Sequence, residues 1–497
     1  MSKATNKKGR EKFSSRLGFI FVSAGCAIGI GNVWKFPYLC GQYGGAFFIL
    51  IYLAFLLLLA IPALIIEFTM GRKSQRSAAK AFDLLEPKGS HWHHMKWISV
   101  IGCYLLMMFY TTVSGWMLYY CFRSIRGDFV AATSDEVTNA FNSMLAQAPN
   151  MVFWTIVICV VGFFICYFGI QNGLERVSKY MMSALLILMV VLAIHSLFLK
   201  GAGEGIQFYL VPNLQTVMEK GIGNVIYAAM GQAFFTLGVG LGSMLIFGSY
   251  LDKDRSLTGE ALTIAGLDTS VALMAGFIII PACFAFGVDP GSGPGLIFIT
   301  LPNIFAQMSG GRLWGALFFL FMTFAAFSTV VAVFENLIAY GMDLFDWTRK
   351  KSVWITGILM IILSMPCTLG YNVLAGFHPL GDGTTILDLE DFIVSYNLLP
   401  LGCLVYVLFC TRKSGWGWDN FIAEADAGKG MKFPSVLKGY VSYIVPLLII
   451  IVYLKGYYDM FAPMGRTVLS IWMVLGLCFI GVVFYFARPG KKANSSL

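Results

Sequence analysis

The sequence predicts an all-α integral membrane protein of about twelve transmembrane helices, with an inverted five-helix repeat and broken first and sixth helices. Three observations predict it. The chain is 58% hydrophobic and only 12% charged, where soluble domains carry roughly 25% charged residues. Apolar runs of about 20 residues, each long enough to cross a bilayer, recur from end to end. Two of these runs are interrupted by glycines, AGCAIGIGN at 24–32 and GQAFFTLGVGLGS at 231–243.

The runs fall near 17–37, 45–70, 97–122, 151–170, 177–199, 223–250, 261–287, 312–342, 353–370, 387–410, 439–457 and 466–487. Pro37 is expected to end the first. No small-residue cleavage site follows a short apolar core, so the first run is expected to remain a span. Basic residues set the orientation. MSKATNKKGREKFSSR, GRKSQRSAAK, WTRKK, TRK after the tenth run and ARPGKK fall on one side of an even count. Both termini are therefore expected in the cytoplasm, in a multi-pass protein of the inner (plasma) membrane. Arg123 and Arg126 are exceptions. The domains expected are a tail at 1–15, repeats at 16–200 and 221–411, and two further spans with a tail at 412–497.

The net charge of +9 is a topology signal. No basic run interleaved with aromatics points to nucleic acid. The eleven cysteines are scattered without a CxxC pair, which argues against a metal or redox framework. HWHH at 91–94 lacks a cysteine or carboxylate partner, so a solvated loop cluster outweighs a metal site. No His, Cys, Ser and acid set suited to catalysis gathers in the spans, so an enzyme is not expected, nor an organic cofactor.

Glycine disfavours a helix interior by about 1 kcal/mol relative to alanine. In lipid a broken helix is tolerated only where it lines a cavity or is buried in protein. Close packing through small residues would explain one such stretch. Paired breaks in two halves point instead to an inverted-repeat transporter. Freed carbonyls can coordinate a cation, and freed N–H groups can hold a carboxylate. Asn32 and Thr236 add hard, uncharged oxygens that suit sodium. Ser328 and Thr329 are hydroxyls on a span, bonded either to an ion or back to their own helix.

RLGFIFVSAGCAIGIGNVWKFPY followed by GGAFF, GQAFFTLGVG, AAFSTVVAVFE at 325–335 and LEDF at 389–392, in that order, resemble the signatures of spans one, six, eight and ten of the neurotransmitter:sodium symporter family. The lack of an outer-loop cysteine pair and sequon resembles its bacterial members. The resemblance implies a sodium-coupled importer of a neutral amino acid. One sodium ion would be held by the Ala27 carbonyl, Asn32, Thr236, the substrate carboxylate and Asp268, which stands where the family usually has Asn. A second would be held by the carbonyls of Gly25, Ile28 and Ala325 and the hydroxyls of Ser328 and Thr329. The substrate carboxylate would meet Ile30, Gly31 and Tyr110. Its amino group would meet carbonyls at the two breaks, including those of Phe235 and Thr236. Cys26, Leu106, Val113, Phe235, Gly238, Leu241 and Val333 would surround its side chain, with Ala27 and Thr329 adjoining. Gly238 and Leu241 leave room for a medium-to-large hydrophobic or aromatic side chain.

The same resemblance implies gates. Phe235 and Tyr110 would close over the substrate. Lys35, where the family usually has Arg, would pair with Asp391 beside Gln232, although lysine cannot bind a carboxylate through a planar fork. On the inside Arg10 would pair with Asp343 beside Tyr250, unless Asp343 is a solvated loop acid. Intramembrane carboxylates are costly and usually functional. Ala272 occupies the position of the acid usual in bacterial members, so Asp268 is expected to supply the negative charge that animal members take from chloride. It could also exchange a proton on the return step. Glu67 is expected to bind the unwound backbone of a broken helix. Transport would proceed by alternating access, with spans one, two, six and seven moving against the rest. The partners implied are an amino acid, sodium and the lipid bilayer; the oligomeric state stays open. A sensor or channel on the same fold is the alternative, separated by concentrative uptake.

Overall fold

The computed structural model describes residues 11–291 and 295–488, and every regular element among them is helical. Among the described residues ten helices are long and apolar enough to cross a membrane: Ala46–Ser74, Trp92–Arg126, Ala148–Tyr167, Ile170–Leu197, Leu257–Ala285, Gly311–Phe345, Arg349–Leu369, Ile386–Thr411, Ser435–Met464 and Arg466–Phe486. Arg16–Ala27 and Gly31–Gln42 form one span bent by 57°. The sixth run is split into Ile222–Thr236 and Ser243–Gly248. Both described ends lie on one face. Lys12 is bonded to Asp252 there, and Ser414 Oγ donates to the Ala487 carbonyl at 2.6 Å. We call this the terminal face and its opposite the far face.

Two boundaries differ from expectation. Pro37 does not end the first span; the helix continues to Gln42. A wide turn at Gly31–Lys35 precedes it, so the proline falls at a helix start, where its missing N–H costs little. The third span begins at Trp92, which puts the histidines in its first turns. His93 Nδ1 lies 2.8 Å from Glu86, and no group of three metal-ligating side chains is assembled among the described residues.

The glycines of the sixth span make its break. Gly238, Gly240 and Gly242 have φ of 58°, 108° and 71°, the left-handed region that side chains avoid. At Gly240 a Cβ would also lie 2.2 Å from the Leu399 carbonyl oxygen. Gly240→Ala is therefore expected to prevent native packing of span six on span ten. The check is the yield of monodisperse protein in detergent, which should fall severalfold; unchanged yield and melting would refute it.

Candidate binding site between two broken helices

The first break begins where Ile28 takes an extended ψ of 98° after bonding Ala24. Beyond it the Gly29 N–H donates to Asn32 Oδ1 at 3.2 Å and the Ile30 N–H to the Tyr110 hydroxyl at 2.9 Å. The second break is held from span two. Glu67 Oε1 accepts from the Gly240 N–H at 2.5 Å and Oε2 from the Met244 N–H at 3.2 Å, as the intramembrane acid led one to expect.

A small cavity, about 40 Å³, lies between the breaks. Of the expected residues, Cys26, Ala27, Gly31, Asn32, Leu106, Tyr110, Phe235, Gly238, Leu241, Thr329 and Val333 line it. Gly29, Ser243 and Leu399 line it as well. Leu399 sits in an apolar run with no chemical mark, and only the close approach of span ten at Gly240 reveals it. Ile30, Val113 and Thr236 are not among the walls. Val113 is buried in the core, and Thr236 turns its hydroxyl to Asp268. At Gly238 a Cβ would meet nothing within 4 Å, so the missing side chain is open space in the wall.

Beside the cavity lies a buried polar cluster. Asp268 is fully buried; its Oδ1 accepts from Asn32 Nδ2 at 2.8 Å and its Oδ2 from the Thr236 hydroxyl at 2.8 Å. Tyr52 adds a hydroxyl 3.4 Å from Thr236 Oγ1. A carboxylate only accepts, so it draws the amide nitrogen of Asn32, and the amide oxygen expected as a ligand faces Gly29 instead. A second cluster spans the first break and span eight. Ser328 Oγ lies 3.3 Å from the Ile28 carbonyl and 2.9 Å from that of Ala325. Thr329 Oγ1 lies 3.3 Å from the Gly25 carbonyl and 3.2 Å from that of Ile28. Five hard oxygens without formal charge converge there, a donor set that suits sodium over a transition metal.

The outer gate departs from expectation. Lys35 forms no ion pair with Asp391; its ammonium lies over the Phe235 ring, 4.2 Å from the centroid, while Asp391 accepts from Ser395 Oγ at 2.5 Å. A compact ammonium gains from a ring face without the fork a carboxylate rewards. Gln232 Nε2 reaches the Gly31 carbonyl at 3.1 Å. Lys35, Gln232 and Phe235 form the floor of a wide vestibule on the far face, walled by Tyr43, Tyr227, Tyr396 and Asp459.

On the terminal face Arg10 lies outside the described residues. Asp343 is no solvated loop acid: it accepts from the Ser77 N–H and hydroxyl, both at 2.7 Å, and from Arg76 at 3.2 Å. The Tyr250 hydroxyl donates to Glu335 at 2.9 Å, and Arg349 binds the same carboxylate at 3.0 Å. Glu335 ends the quoted AAFSTVVAVFE segment, yet its role depends on Arg349 across a turn, which spacing alone does not pair.

A helical membrane protein whose two broken spans meet at a buried, oxygen-lined cavity has the build of a secondary transporter. The sequence matches the profile of the Sodium:neurotransmitter symporter family over residues 10–144 and 136–483. An uncharacterized sodium-dependent transporter of Bacillus subtilis, YhdH, is 36% identical over 451 residues, 89% of this chain and 97% of that protein. A sodium-dependent transporter of Haemophilus influenzae is 29% identical over 465 residues, 91% and 99% of the two chains. The crystal structure of MhsT in complex with L-phenylalanine superposes with a TM-score of 0.80 at 38% identity, covering 90% of this chain and 99% of that one. The chain belongs to the sodium:neurotransmitter symporter family, and is a sodium-dependent secondary transporter, not an enzyme.

Proposed function

We propose that the chain imports a neutral amino acid with a medium-to-large hydrophobic or aromatic side chain, driven by sodium and without chloride. The observation that carries this reading is the cavity. One end presents Gly31 and Tyr110 for a carboxylate, and the walls are Leu106, Leu241, Val333 and Phe235 with open space at Gly238. The crystal structure of MhsT, with L-phenylalanine bound, supports the same class. The two oxygen clusters are read as two sodium sites. The first uses Ala27, Asn32, Thr236 and Asp268; the second uses Gly25, Ile28, Ala325, Ser328 and Thr329.

The spans are read as two repeats, 16–200 and 221–411, with both termini cytoplasmic in the plasma membrane. Arg72, Lys73, Arg76 and Arg349, all basic, belong to the terminal face, in keeping with the positive-inside rule. Sodium entering from the far face completes the pocket. Its site shares the substrate carboxylate, so each ligand raises the affinity of the other reciprocally. Phe235 and Tyr110 then close over the substrate. Spans one, two, six and seven move together, and the terminal face opens. Each cation moved inward through 100 mV contributes about 2.3 kcal/mol.

The test is uptake of labelled phenylalanine, tryptophan, leucine and glycine into proteoliposomes, with an inward sodium gradient and with potassium in its place. Concentrative uptake of the large substrates in sodium alone is expected; binding without accumulation would refute the coupling. Thr329→Val keeps the shape and removes one oxygen of the second cluster. It should raise the sodium concentration for half-maximal uptake about tenfold, the equivalent of about 1.4 kcal/mol. Val333→Phe, on a helical wall of the cavity, should fill it and favour glycine over tryptophan, read as the ratio of their uptake rates.

A further inference from the structure

The segment between spans ten and eleven is pinned at two places that belong to different bodies. At its start, the Ser414 carbonyl accepts from Trp92 Nε1 at 2.8 Å, and Ser414 Oγ donates to Ala487 at 2.6 Å. Those partners begin span three and end span twelve. Four residues on, the helix Trp418–Ala425 docks elsewhere, at the end of span two. Arg72 of that span, 1% exposed, donates through Nε to Glu424 Oε1 at 3.0 Å and through a terminal nitrogen to the Arg255 carbonyl at 2.6 Å; its other terminal nitrogen bonds the Glu424 carbonyl. Lys253 adds a contact to Glu424 at 3.0 Å.

The chain then pairs with the connection between spans six and seven. Lys429 N–H donates to the Asp254 carbonyl at 2.9 Å, Ser256 N–H to the Lys429 carbonyl at 3.0 Å, and Ser256 Oγ to the Met431 carbonyl at 2.5 Å. Between the two anchors stands Gly417, with φ of 88°. The return toward span eleven, around Val436, is exposed.

We propose that residues 418–431 are a strap that travels with spans two, six and seven and pivots on Gly417 against the anchor at Ser414. This rests on the alternating-access reading, in which those spans move against spans three and twelve. The reasoning is electrostatic. Separating Arg72 from Glu424 would strand two buried charges, whereas turning about Gly417 gives up one neutral bond across the pivot, from Asn420 Nδ2 to the Trp416 carbonyl at 2.7 Å. The strap also binds the end of span two to the connection of spans six and seven, so that they move as one body.

Spin labels test it in the full-length protein in proteoliposomes. The exposed Cys478 is replaced by Ala; the other ten cysteines are buried. One label sits at Asp419 on the strap, paired with Asp254 on the moving body or with Lys351 at the start of span nine. Distances are compared in sodium with phenylalanine and in potassium. The 419–254 distance should hold while the 419–351 distance shifts by several ångströms. A shifting 419–254 distance, or no shift in either pair, would overturn the strap. Distances that behave as expected in a protein that accumulates no amino acid would retire the transport reading and leave the strap standing.

Discussion

Asp268→Asn should leave a folded protein whose sodium-driven uptake in chloride-free medium falls at least tenfold and recovers, in part, when chloride is supplied. The side chain is fully buried, and its oxygens take one hydrogen bond from Asn32 and one from Thr236, each at 2.8 Å. Asparagine keeps the shape and one acceptor but removes the charge. Two unit charges about 4 Å apart at an effective dielectric near 20 attract by about 4 kcal/mol. Even a fraction of that exceeds the 1.4 kcal/mol that corresponds to tenfold in affinity. Ala272, one turn further on, is apolar and buried and offers no charge in its place. Chloride near Asn32 and Thr236 would return the missing charge. Asp268→Glu keeps the charge and should stay indifferent to chloride, though its longer chain should weaken sodium binding. The measurement is initial uptake in sodium chloride against sodium gluconate. Wild-type uptake by Asp268→Asn in gluconate would remove Asp268 from the role of counter-charge.

What could be read from the sequence was what backbone and bilayer dictate locally. Glycines at 238, 240 and 242 announce a break because no other residue holds their φ angles cheaply. Glu67 and Asp268 announce themselves because a carboxylate in an apolar span needs partners. The oxygen cluster at Ser328 and Thr329 follows from its motif and from the four-residue register of one helix. What stayed hidden depends on contacts between distant segments or on a choice among partners. Lys35 had a carboxylate to expect and took an aromatic face. Asp343 is held by Ser77 and Arg76, partners that its own neighbourhood in the sequence does not name. Arg72 and Glu424 are 352 residues apart, and nothing in either neighbourhood marks them as a pair.

Glu67→Ala is expected to be the most damaging single change to the fold of the site. The α-helix of the sixth span is interrupted over residues 237–242, and two of the N–H groups around that break, at Gly240 and Met244, donate to the Glu67 carboxylate. Alanine would leave both buried without acceptors, at about 1–3 kcal/mol each, and would open a void among Tyr406, Cys403 and Leu245, all buried. Glu67→Gln separates the two contributions. The amide keeps one oxygen acceptor but turns an N–H₂ toward the other N–H, so one donor is satisfied and one is opposed. The order of apparent melting temperature in detergent should be wild type, then Gln, then Ala, with uptake falling in the same order. Because Glu67 holds the backbone that forms the cavity wall, phenylalanine affinity should fall with stability even in the fraction that folds. A Gln variant as stable as wild type and binding as tightly would show that the break at 237–242 holds its shape through packing alone, and that the carboxylate does not set it.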